Sequence, residues 1–557
     1  MENQARGKLR VGLLLDSFQV PAWAYVMLQR IRDSSYAEID LVVLNGAFGK
    51  EKGSLLSRLA RQRRFLLYEA YRELDRRVLR VKPDAMEILD AAGLLAGVPV
   101  LKVRPREGAY SDWIEEADVE AIRGYRLDVL IRRGFRILRG KVLEAARFGV
   151  WSFHHGDVKT RRGAPAGFWN VFENHPVTGS ALQVLTEEMD GGAVLCRSYS
   201  ATDYLSVARN VNNYYWKTLS FIPRKLRELH DRGEKAFFEK VRAENQHPDF
   251  YSHRLYQRPS NGEMAALLAK HAAKVAWVRL NHALFLEQWV LMFDLGDRLR
   301  GTFRRFRRIV PPRDRFWADP HIVYKDGRYY IFIEEFLYRQ GRAHIAVLVM
   351  DEAGNYSPPV KVLEKPYHLS YPFVFEWQGA CYMVPESSAN RTIEAYRCTS
   401  FPDRWEPHAT LMQGVQAMDA TLFPHGGKWW LFANMAGNEG ASTWDELFLF
   451  HADNPLSQRW TPHPLNPIVS DVQRSRPAGP LFTHGGNLYR PSQDSSRRYG
   501  YGLRMNQVLV LNETDYQEKE VAFIEPKWAP DVRGVHTFGH QGRLTVIDAV
   551  VKRRRWP

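Results

Sequence analysis

A strand, glycine turn, strand motif recurs five times in the second half of the chain, and it constrains the fold more than any other feature. The copies are DPHIVYKDGRYYIFIEE, YPFVFEWQGACYMVPES, DATLFPHGGKWWLFANM, AGPLFTHGGNLYRPSQD and GVHTFGHQGRLTVIDAV. Their turn glycines, Gly327, Gly379, Gly427, Gly486 and Gly542, are 52, 48, 59 and 56 residues apart. Repeats of this period with several short strands each are typical of β-propellers. We therefore predict an all-β five-bladed propeller over residues 316–557, with the earlier segment EQWVLMFDL as a candidate strand to complete its last blade.

Equivalent positions of the repeat predict which residues face the propeller axis. Eight residues before the glycines stand Asp319, Tyr371, Asp419, Ala478 and Gly534, and seven residues after them stand Glu334, Glu386, Asn434, Gln493 and Ala549. Several of these positions hold carboxylates or amides, where ordinary strands carry core or turn residues. We expect Asp319, Glu334, Glu386 and Asp419 to converge at one mouth of the central channel.

The first half of the chain alternates strands and helices. RVGLLLD at 10–16 and IDLVVLN at 39–45 are apolar strands, and WAYVMLQRIRD between them has helical periodicity. LDVLI at 127–131 and GVWSF at 149–153 flank KVLEAARF, which also has helical spacing. This predicts an α/β domain with a Rossmann-like, mostly parallel sheet over residues 1–245. No GxGxxG follows the first strand, so no dinucleotide site is predicted.

A polar passage, WSFHHGDVKTRRGAPAGFWNVFENHPVTGSALQVLTEEMD, begins in the last of these strands. It places His154 and His155 at the carboxyl end of a parallel strand, the edge where open α/β sheets bind ligands. Asp157 and the Arg162-Gly163 turn follow closely. A lone histidine there would favour an ordinary loop, but this combination favours a functional site.

The passage resembles the formyltransferase fold of enzymes that use 10-formyltetrahydrofolate, such as methionyl-tRNA formyltransferase and the amino-sugar formyltransferases. The resemblance covers about residues 8–235. The family's histidine, Arg-Gly, Pro, Thr-Gly and Asp fall on His154, Arg162-Gly163, Pro165, Thr178-Gly179 and Asp190. Ser152 stands where the family has its catalytic asparagine, and Gly156-Asp157-Val158-Lys159 replace its Ser-Leu-Leu-Pro.

This resemblance implies His154, Asp190 and Ser152 as catalytic residues and 10-formyltetrahydrofolate as the cofactor. It further implies substrate or cofactor contacts from His155, Asp157, Arg162 and Gly163. Formyl transfer needs a donor for the developing oxyanion and a carboxylate that sets the protonation of the histidine. Losing an oxyanion donor typically costs on the order of 100-fold to 1000-fold in rate, so the serine at position 152 bears directly on activity.

FWADPHIV and the blade pattern resemble the five-bladed propellers of glycoside hydrolases that act on furanosides and pentosides. They also resemble the propeller that precedes the glycosyltransferase domain of the plant glucosamine inositolphosphorylceramide transferases. Glycoside cleavage uses two carboxylates on opposite sides of the bond. Asp319 matches the first-blade aspartate of the hydrolases, and Glu386 and Asp419 are assigned to the other acidic roles, whereas Tyr371 holds a position where those hydrolases often place an aspartate.

Residues 246–315 are predicted to form a linker with one helix, the candidate closing strand and an arginine-dense run from Arg298 to Arg315. The chain has a net charge of +15 and a pI near 9.5, which suits phosphates, nucleotides, nucleic acid or an anionic membrane, or reflects a generally basic proteome. For the run itself, a solvated edge and a peripheral contact with an anionic membrane both stay open. A second basic segment, Leu55 to Leu79, has the pattern of an amphipathic helix.

Three cysteines without CxxC spacing indicate neither a disulfide framework nor a cysteine zinc site, and we expect no metal. The first residues, MENQARGKLRVGLLLDSF, lack the long apolar region and cleavage site of a signal peptide. We therefore expect a cytoplasmic protein.

Three functions stay open. The first is an enzyme of carbohydrate metabolism that transfers a formyl group from 10-formyltetrahydrofolate to an amino group of a sugar, nucleotide sugar or glycan precursor, with a propeller that recognises the glycan. The second is glycoside cleavage or glycosyl transfer in the propeller. The third is a non-catalytic glycan-binding protein. A nucleic-acid partner is not expected, because a propeller has no evident use with tRNA.

Overall fold

The structure is a computed structural model that describes residues 7–49, 63–79, 81–108, 110–157, 161–188, 191–247, 250–251, 254–297, 299 and 302–554. The chain divides into two compact units. The first, the α/β unit, comprises Met1–Ser198, Thr202–Ala272 and Gly437–Ala441. The second, the β unit, comprises Tyr199–Ala201, Ala273–Ala436 and Ser442–Pro557.

The α/β unit is built on a mostly parallel sheet, as predicted. Its strands are β1 Leu9–Leu15, β2 Gln19–Pro21, β3 Ala37–Asn45, β4 Ile88–Asp90, β5 Val100–Val103, β6 Arg106–Glu107, β7 Ser111–Trp113, β8 Val129–Arg132, β9 Ile137–Arg139, β10 Val150–His154, β11 Val177–Val184 and β12 Val194–Ala201. Seven of them form one sheet in the order β12-β11-β10-β8-β1-β3-β5. The pairs from β10 to β5 are parallel and β10 pairs antiparallel with β11. The carboxyl ends of β8 and β10 therefore meet at one edge.

Apolar cores lie on both faces of this sheet. The helices of the described residues are α1 Ala22–Arg32, α2 Leu66–Val78, α3 Glu116–Gly124, α4 Phe168–Phe172, α5 Val207–Thr218, α6 Phe221–Arg232, α7 Glu234–Glu244 and α8 Asn261–Leu284, with 3₁₀ turns at Arg63–Phe65 and Lys141–Glu144. From Ala273 onward α8 is assigned to the β unit. One apolar core lies between the sheet and α1, α6 and α7, and includes Trp23, Trp151 and Phe237. A second core lies on the opposite face around Leu130 and Val142.

One sequence expectation differs from the structure here. KVLEAARF forms only the 3₁₀ turn, because the chain reverses at Gly149, with φ of +74°, to enter β10 directly. The basic segment predicted as a helix from Leu55 to Leu79 is helical over α2, Leu66–Val78, after a 3₁₀ turn at Arg63–Phe65, and its residues 55–62 lie outside the described residues.

The β unit is a succession of antiparallel sheets. The first four contain β15 Arg315–Lys325, β16 Arg328–Leu337, β17 Arg342–Met350 and β18 Val360–Leu363; β19 Ser370–Trp377, β20 Ala380–Ser387, β21 Thr392–Ser400 and β22 Arg404–Gln413; β23 Ala417–His425, β24 Lys428–Met435, β25 Glu446–Ala452, β26 Thr461–Pro462 and β27 Val469–Ser470; and β28 Phe482–His484, β29 Asn487–Asp494, β30 Gly502–Leu511 and β31 Tyr516–Ile524. A 3₁₀ turn, Ser388–Asn390, follows β20.

The last sheet joins distant parts of the chain. It contains β13 Phe285–Leu295, β14 Arg307–Ile309, β32 Val532–Gly534, β33 Phe538–Gln541 and β34 Leu544–Arg554. β13 contains the segment EQWVLMFDL, and it pairs antiparallel with β34 along its whole length, from Phe285 opposite Arg554 to Leu295 opposite Leu544. Buried apolar side chains of both strands, such as Leu291 and Val546, belong to one core.

Part of the arginine-dense run is engaged within the β unit. Arg308 makes two contacts with the Asp531 carboxylate, of 2.6 and 2.9 Å. The Arg315 Nη1 lies 3.1 Å from Glu335 Oε1, and the Arg307 guanidinium lies 4.9 Å from the Phe293 ring centroid. Arg298 and Arg300 lie outside the described residues. Among the helices in the described ranges, none combines the length and apolar character needed to cross a membrane.

Candidate functional site

The same backbone irregularity occurs at the first predicted axis position in three sheets of the β unit. Asp319, Tyr371 and Asp419 have positive φ angles of 52°, 43° and 53°. At each of them the pairing with the next strand shifts register, as at a β-bulge. Left-handed backbone costs a residue with a Cβ on the order of 1 kcal/mol. Contacts from neighbouring groups therefore have to hold these residues in place.

Carboxylates of neighbouring sheets supply those contacts. The Asp319 N–H donates to Asp548 Oδ2 at 2.9 Å, and the Tyr371 N–H donates to Asp319 Oδ2 at 3.2 Å. The Asp419 N–H donates to Glu386 Oε2 at 3.3 Å. Each of these carboxylates thus accepts a hydrogen bond from the backbone of a bulge in the next sheet. We call these acids, with Glu334 and their two basic partners, the carboxylate cluster; its members are Asp319, Glu334, Glu386, Asp419, Asp548, Arg476 and His536.

Arg476 provides the positive charge on one side of the carboxylate cluster. Its Nε and Nη2 lie 2.6 and 3.1 Å from the two carboxylate oxygens of Asp419, and Nη2 lies 3.4 Å from Glu386 Oε2. The Gln493 side-chain amide donates to the same Asp419 carboxylate at 2.8 Å. The guanidinium also lies 4.9 Å from the Tyr499 ring centroid. This is a two-point Arg–carboxylate pair in a fully buried position.

His536 lies on the other side, between two aspartates. Its Nδ1 is 2.6 Å from Asp548 Oδ2 and its Nε2 is 3.4 Å from Asp319 Oδ1. The ring stacks on Trp289 with centroids 4.0 Å apart. Burial by itself lowers the pKa of His536, but the charges of Asp548 and Asp319 outweigh it and raise that pKa. The imidazole is therefore a buried, positively biased partner for both carboxylates.

Burial raises the pKa of three acids in the cluster. For Asp319 the pKa rises to about 6, with the Asp419 charge adding to burial and His536 opposing it. For Glu386 it rises to about 8, through burial first and then the Asp419 charge. The pKa of Glu334 is raised well above its ordinary value by burial and by the charges of Asp319 and Glu386. Neighbouring carboxyl groups with different proton affinities are the arrangement that acid/base chemistry uses.

All four axis residues predicted from the repeat lie in this cluster. Asp319, Glu386 and Asp419 share its hydrogen bonds, and Glu334 lies close enough to Asp319 and Glu386 for their charges to raise its pKa. Other positions of the same alignment have packing roles: Ala478 and Ala549 are apolar core residues, and Asn434 donates to Ser475 Oγ.

Sequence reasoning missed Arg476, His536 and Asp548. Asp548 directly precedes a position of the alignment that holds only alanine, and this was a usable signal. Asp319, His536 and Asp548 also offer ligand atoms within 4.8 Å of one another, a spacing that could hold a metal ion.

Inner strands from all five sheets line one further space. It is a cavity of about 660 Å³ whose lining includes His321, Phe373, Leu422, Leu481 and Gly539. These residues follow the bulges along the inner strands or stand at the equivalent places in the last two sheets. The five sheets therefore face a common interior beside the carboxylate cluster.

In the α/β unit, the predicted site begins at the carboxyl end of β10. Ser152 is 2% exposed, and its Oγ accepts a hydrogen bond of 3.0 Å from Arg132 Nη1. His154 ends the strand and is partly exposed. Asp190 lies outside the described residues. Ser152 is thus buried and hydrogen-bonded to Arg132, whereas His154 lies at the carboxyl edge of the sheet.

Arg162, Gly163 and Asp157, predicted to contact a substrate or cofactor, make close contacts within the α/β unit. The Arg162 N–H donates to Tyr251 Oη at 3.1 Å. Gly163 has φ of +111°, and a Cβ there would lie 2.2 Å from the Tyr256 carbonyl oxygen. The backbone of Asp157 packs on Gly179. These close approaches explain the Arg-Gly and Thr-Gly dipeptides structurally.

His155 points into an aromatic group. Its ring centroid lies 4.0 Å from that of Tyr215 and 5.6 Å from that of Phe153, with which it stacks. Burial, and then the charge of Arg133, lower its pKa well below the ordinary value. The imidazole of His155 is therefore neutral.

Comparison with known proteins finds two kinds of relative. The family model for the N-terminal part of glucosamine inositolphosphorylceramide transferase 1 matches residues 310–533. The Arabidopsis thaliana protein of that name is 32% identical over 212 residues, which are 37% of this chain and 27% of that protein. This chain thus spans about a quarter of the length of these curated relatives.

A methionyl-tRNA formyltransferase from Prochlorococcus marinus is 32% identical over 83 residues, 14% of this chain and 24% of that protein. Among solved structures, a family 117 glycoside hydrolase from Zobellia galactanivorans overlays with a TM-score of 0.32 and 12% identity, covering 47% of this chain and 90% of that one.

Proposed function

We propose that the β unit is a five-bladed propeller that binds a saccharide at the carboxylate cluster and makes or breaks a glycosidic bond there. The observation that carries this proposal is the pair of buried acids Asp319 and Glu386, whose pKa values lie near 6 and 8 in one cluster. The family model that matches residues 310–533 and the matching curated relatives are named for glucosamine inositolphosphorylceramide transferase 1, which supports a sugar or glycolipid as the ligand.

The two acids have different protonation states at neutral pH. Glu386 keeps its proton and can donate it to the leaving glycosidic oxygen as that bond breaks. Asp319 is mostly ionised and can accept a proton from the attacking hydroxyl group. If that hydroxyl belongs to water the bond is cleaved, and if it belongs to another sugar or lipid the glycosyl group is transferred. Arg476 and His536 hold the neighbouring carboxylates in place throughout.

The test is turnover of aryl glycosides of pentoses and amino sugars by the purified chain. We expect Asp319→Asn and Glu386→Gln each to lower the rate by about 100-fold or more. Glu406→Gln, an exposed change on β22, is the matched control and should retain full activity. Binding of these glycosides without turnover would support the glycan-binding alternative and contradict catalysis. Turnover that survives both cluster variants would also contradict the proposal.

Formyl transfer to an amino sugar is a second candidate, favoured by the relative that is a formyltransferase and by the spacing around His154. The described residues fit this chemistry only in part. Ser152, at the asparagine position, already accepts a hydrogen bond from Arg132 and is buried, so it does not supply an exposed oxyanion donor.

Binding of 5-formyltetrahydrofolate, a stable relative of the expected cofactor, tests this candidate by calorimetry. If formyl transfer is the function, the folate binds, and His154→Ala weakens binding or abolishes formylation of amino sugars by 10-formyltetrahydrofolate. Glu234→Gln, an exposed change at the start of α7, serves as the control. No folate binding by the intact chain would remove this candidate.

A further inference from the structure

Among the described residues of the α/β unit, Arg133 has a positive charge with no carboxylate paired to it. It directly follows β8, and its backbone N–H donates to the Leu14 carbonyl. In the part of the chain that the structure describes, its buried Nε has no hydrogen-bond partner and no carboxylate lies within ion-pairing distance. Asp16 Oδ1 accepts from the Asn45 side chain and from the Phe135 N–H, and the Asp16 carboxylate acts on Arg133 only through its charge, without an ion-pair contact.

The guanidinium lies 4.1 Å from the ring centroid of Trp23 and keeps its charge, since burial lowers the pKa of Arg133 only to about 10. A buried charge without a partner costs several kcal/mol. An attraction to an aromatic ring returns only a part of that. An anionic ligand beside the Arg133 guanidinium would offset the rest of this cost.

His155, next to Arg133, is unsatisfied in the same way. Both of its ring nitrogens are buried and have no hydrogen-bond partner among the described residues, and the same is true of Trp23 Nε1. Trp23 and His155 are in ring contact, with centroids 5.6 Å apart. Buried polar atoms nearly always have partners, so several orphans in one place indicate that a ligand belongs there.

The neighbouring arginines do not share this property. Arg136 makes a two-point contact with the Asp112 carboxylate, at 2.6 and 2.9 Å. Arg132, on the other face of the sheet, donates to the carbonyls of Phe135 and Arg136 and to Ser152 Oγ. The missing partner is therefore specific to the face of the sheet that carries Arg133 and His155.

We propose that the α/β unit binds an oxyanion, the phosphate or carboxylate group of a small ligand, between the Arg133 guanidinium and the His155 imidazole. The planar fork of an arginine matches two oxygens of either group, and the neutral imidazole adds one N–H donor. The site lies at the carboxyl ends of β8 and β10, the edge where open α/β sheets bind ligands. The proposal does not depend on the chemistry proposed for the β unit.

The experiment titrates the full chain with inorganic phosphate and with acetate, with sodium chloride at equal ionic strength as the reference. Calorimetric binding and the thermal midpoint are both measured. We expect one of the two oxyanions to bind and raise the midpoint, and the one that binds identifies the group. Arg133→Met and His155→Phe should each weaken this binding by about 10-fold or more. Arg32→Met, which removes an exposed arginine on α1, should bind as the wild type does.

The two variants also separate a binding role from a structural one. Without added anion, Arg133→Met should be as stable as the wild type or more stable, because it removes an unpaired buried charge. His155→Phe keeps the aromatic packing and should stay folded. The proposal is overturned if neither anion binds, if Arg133→Met and His155→Phe bind as well as the wild type, or if Arg133→Met is destabilised without anion. Tighter binding of a sugar phosphate than of free phosphate would show that the anion is carried by a sugar.

Discussion

Replacing Arg476 by methionine is expected to lower the free energy of unfolding of the β unit by about 3 to 5 kcal/mol. Asp419 and Glu386 are both buried, and Arg476 is the cation that contacts them, at 2.6 and 3.4 Å for its nearest oxygen on each. Methionine fills a similar volume, so the loss reports the uncompensated charge rather than a cavity. The chain has two units, so hydrogen-exchange protection of β23 and β29 is the suitable measurement.

The matched control is Arg498→Met. Arg498 pairs with Glu287 at 2.8 Å, but both side chains are about one third exposed, at 34% and 36%. An exposed pair of this kind contributes about 1 kcal/mol or less. If Arg476→Met cost no more than Arg498→Met, the cluster would not depend on its buried charge pair. Adding Asp419→Asn to Arg476→Met should recover part of the lost protection.

The stability of the β unit is expected to fall as the pH rises from about 4.5 to about 8. The ordinary pKa of Glu386 is 4.5 and its folded pKa is about 8, while for Asp319 the two values are 3.8 and about 6. Below the unfolded values both states are protonated and the stability is fully present. Between the two values the unfolded chain releases the proton that the folded chain retains, so raising the pH favours unfolding.

His536 acts in the same direction, because its raised pKa favours the protonated, folded form until the pH passes that pKa. For Glu386 alone the change amounts to a few kcal/mol over the range. The measurement is exchange protection of β15 and β20 between pH 5 and 8.5, corrected for the intrinsic exchange rate. Glu386→Gln should flatten the decline between pH 6 and 8. A stability that rises with pH, or a slope that this variant leaves unchanged, would contradict the raised pKa.

Much of the carboxylate cluster can be predicted from the repeat, and the reason is geometric. A bulge at a fixed distance before the hairpin glycine aims the residue there in three of the sheets, so Asp319, Tyr371 and Asp419 occupy equivalent places despite their different chemistry. Arg476 lies two residues before Ala478, and His536 two residues after Gly534. His321 holds the place equivalent to His536 in the first copy, yet it contacts the Val374 carbonyl instead. Their roles depend on which neighbour's charge they meet, and a single sequence does not contain that information.

In the α/β unit, the sheet and its ligand edge follow from strand patterns, whereas the state of individual side chains does not. Ser152 lies within β10, whereas His155 lies just beyond its end at His154. Whether each meets solvent or a neighbour depends on Arg132 for Ser152 and, for His155, on Tyr215, which is sixty residues away in the chain. The sequence pattern therefore predicts where these residues lie, whereas tertiary packing determines which contacts their side chains make.

The pairing of β13 with β34 imposes an order on the folding of this chain during its synthesis. β13 ends at Leu295, yet its partner begins only at Leu544. The first four sheets are made of contiguous sequence and can form as they leave the ribosome. Until β34 has been synthesised, the edge of β13 that will pair with it stays exposed and can pair with a competing strand. Closing so long a loop is slow. Assembly of the carboxylate cluster, which needs Asp548 on β34, thus follows the synthesis of the first four sheets.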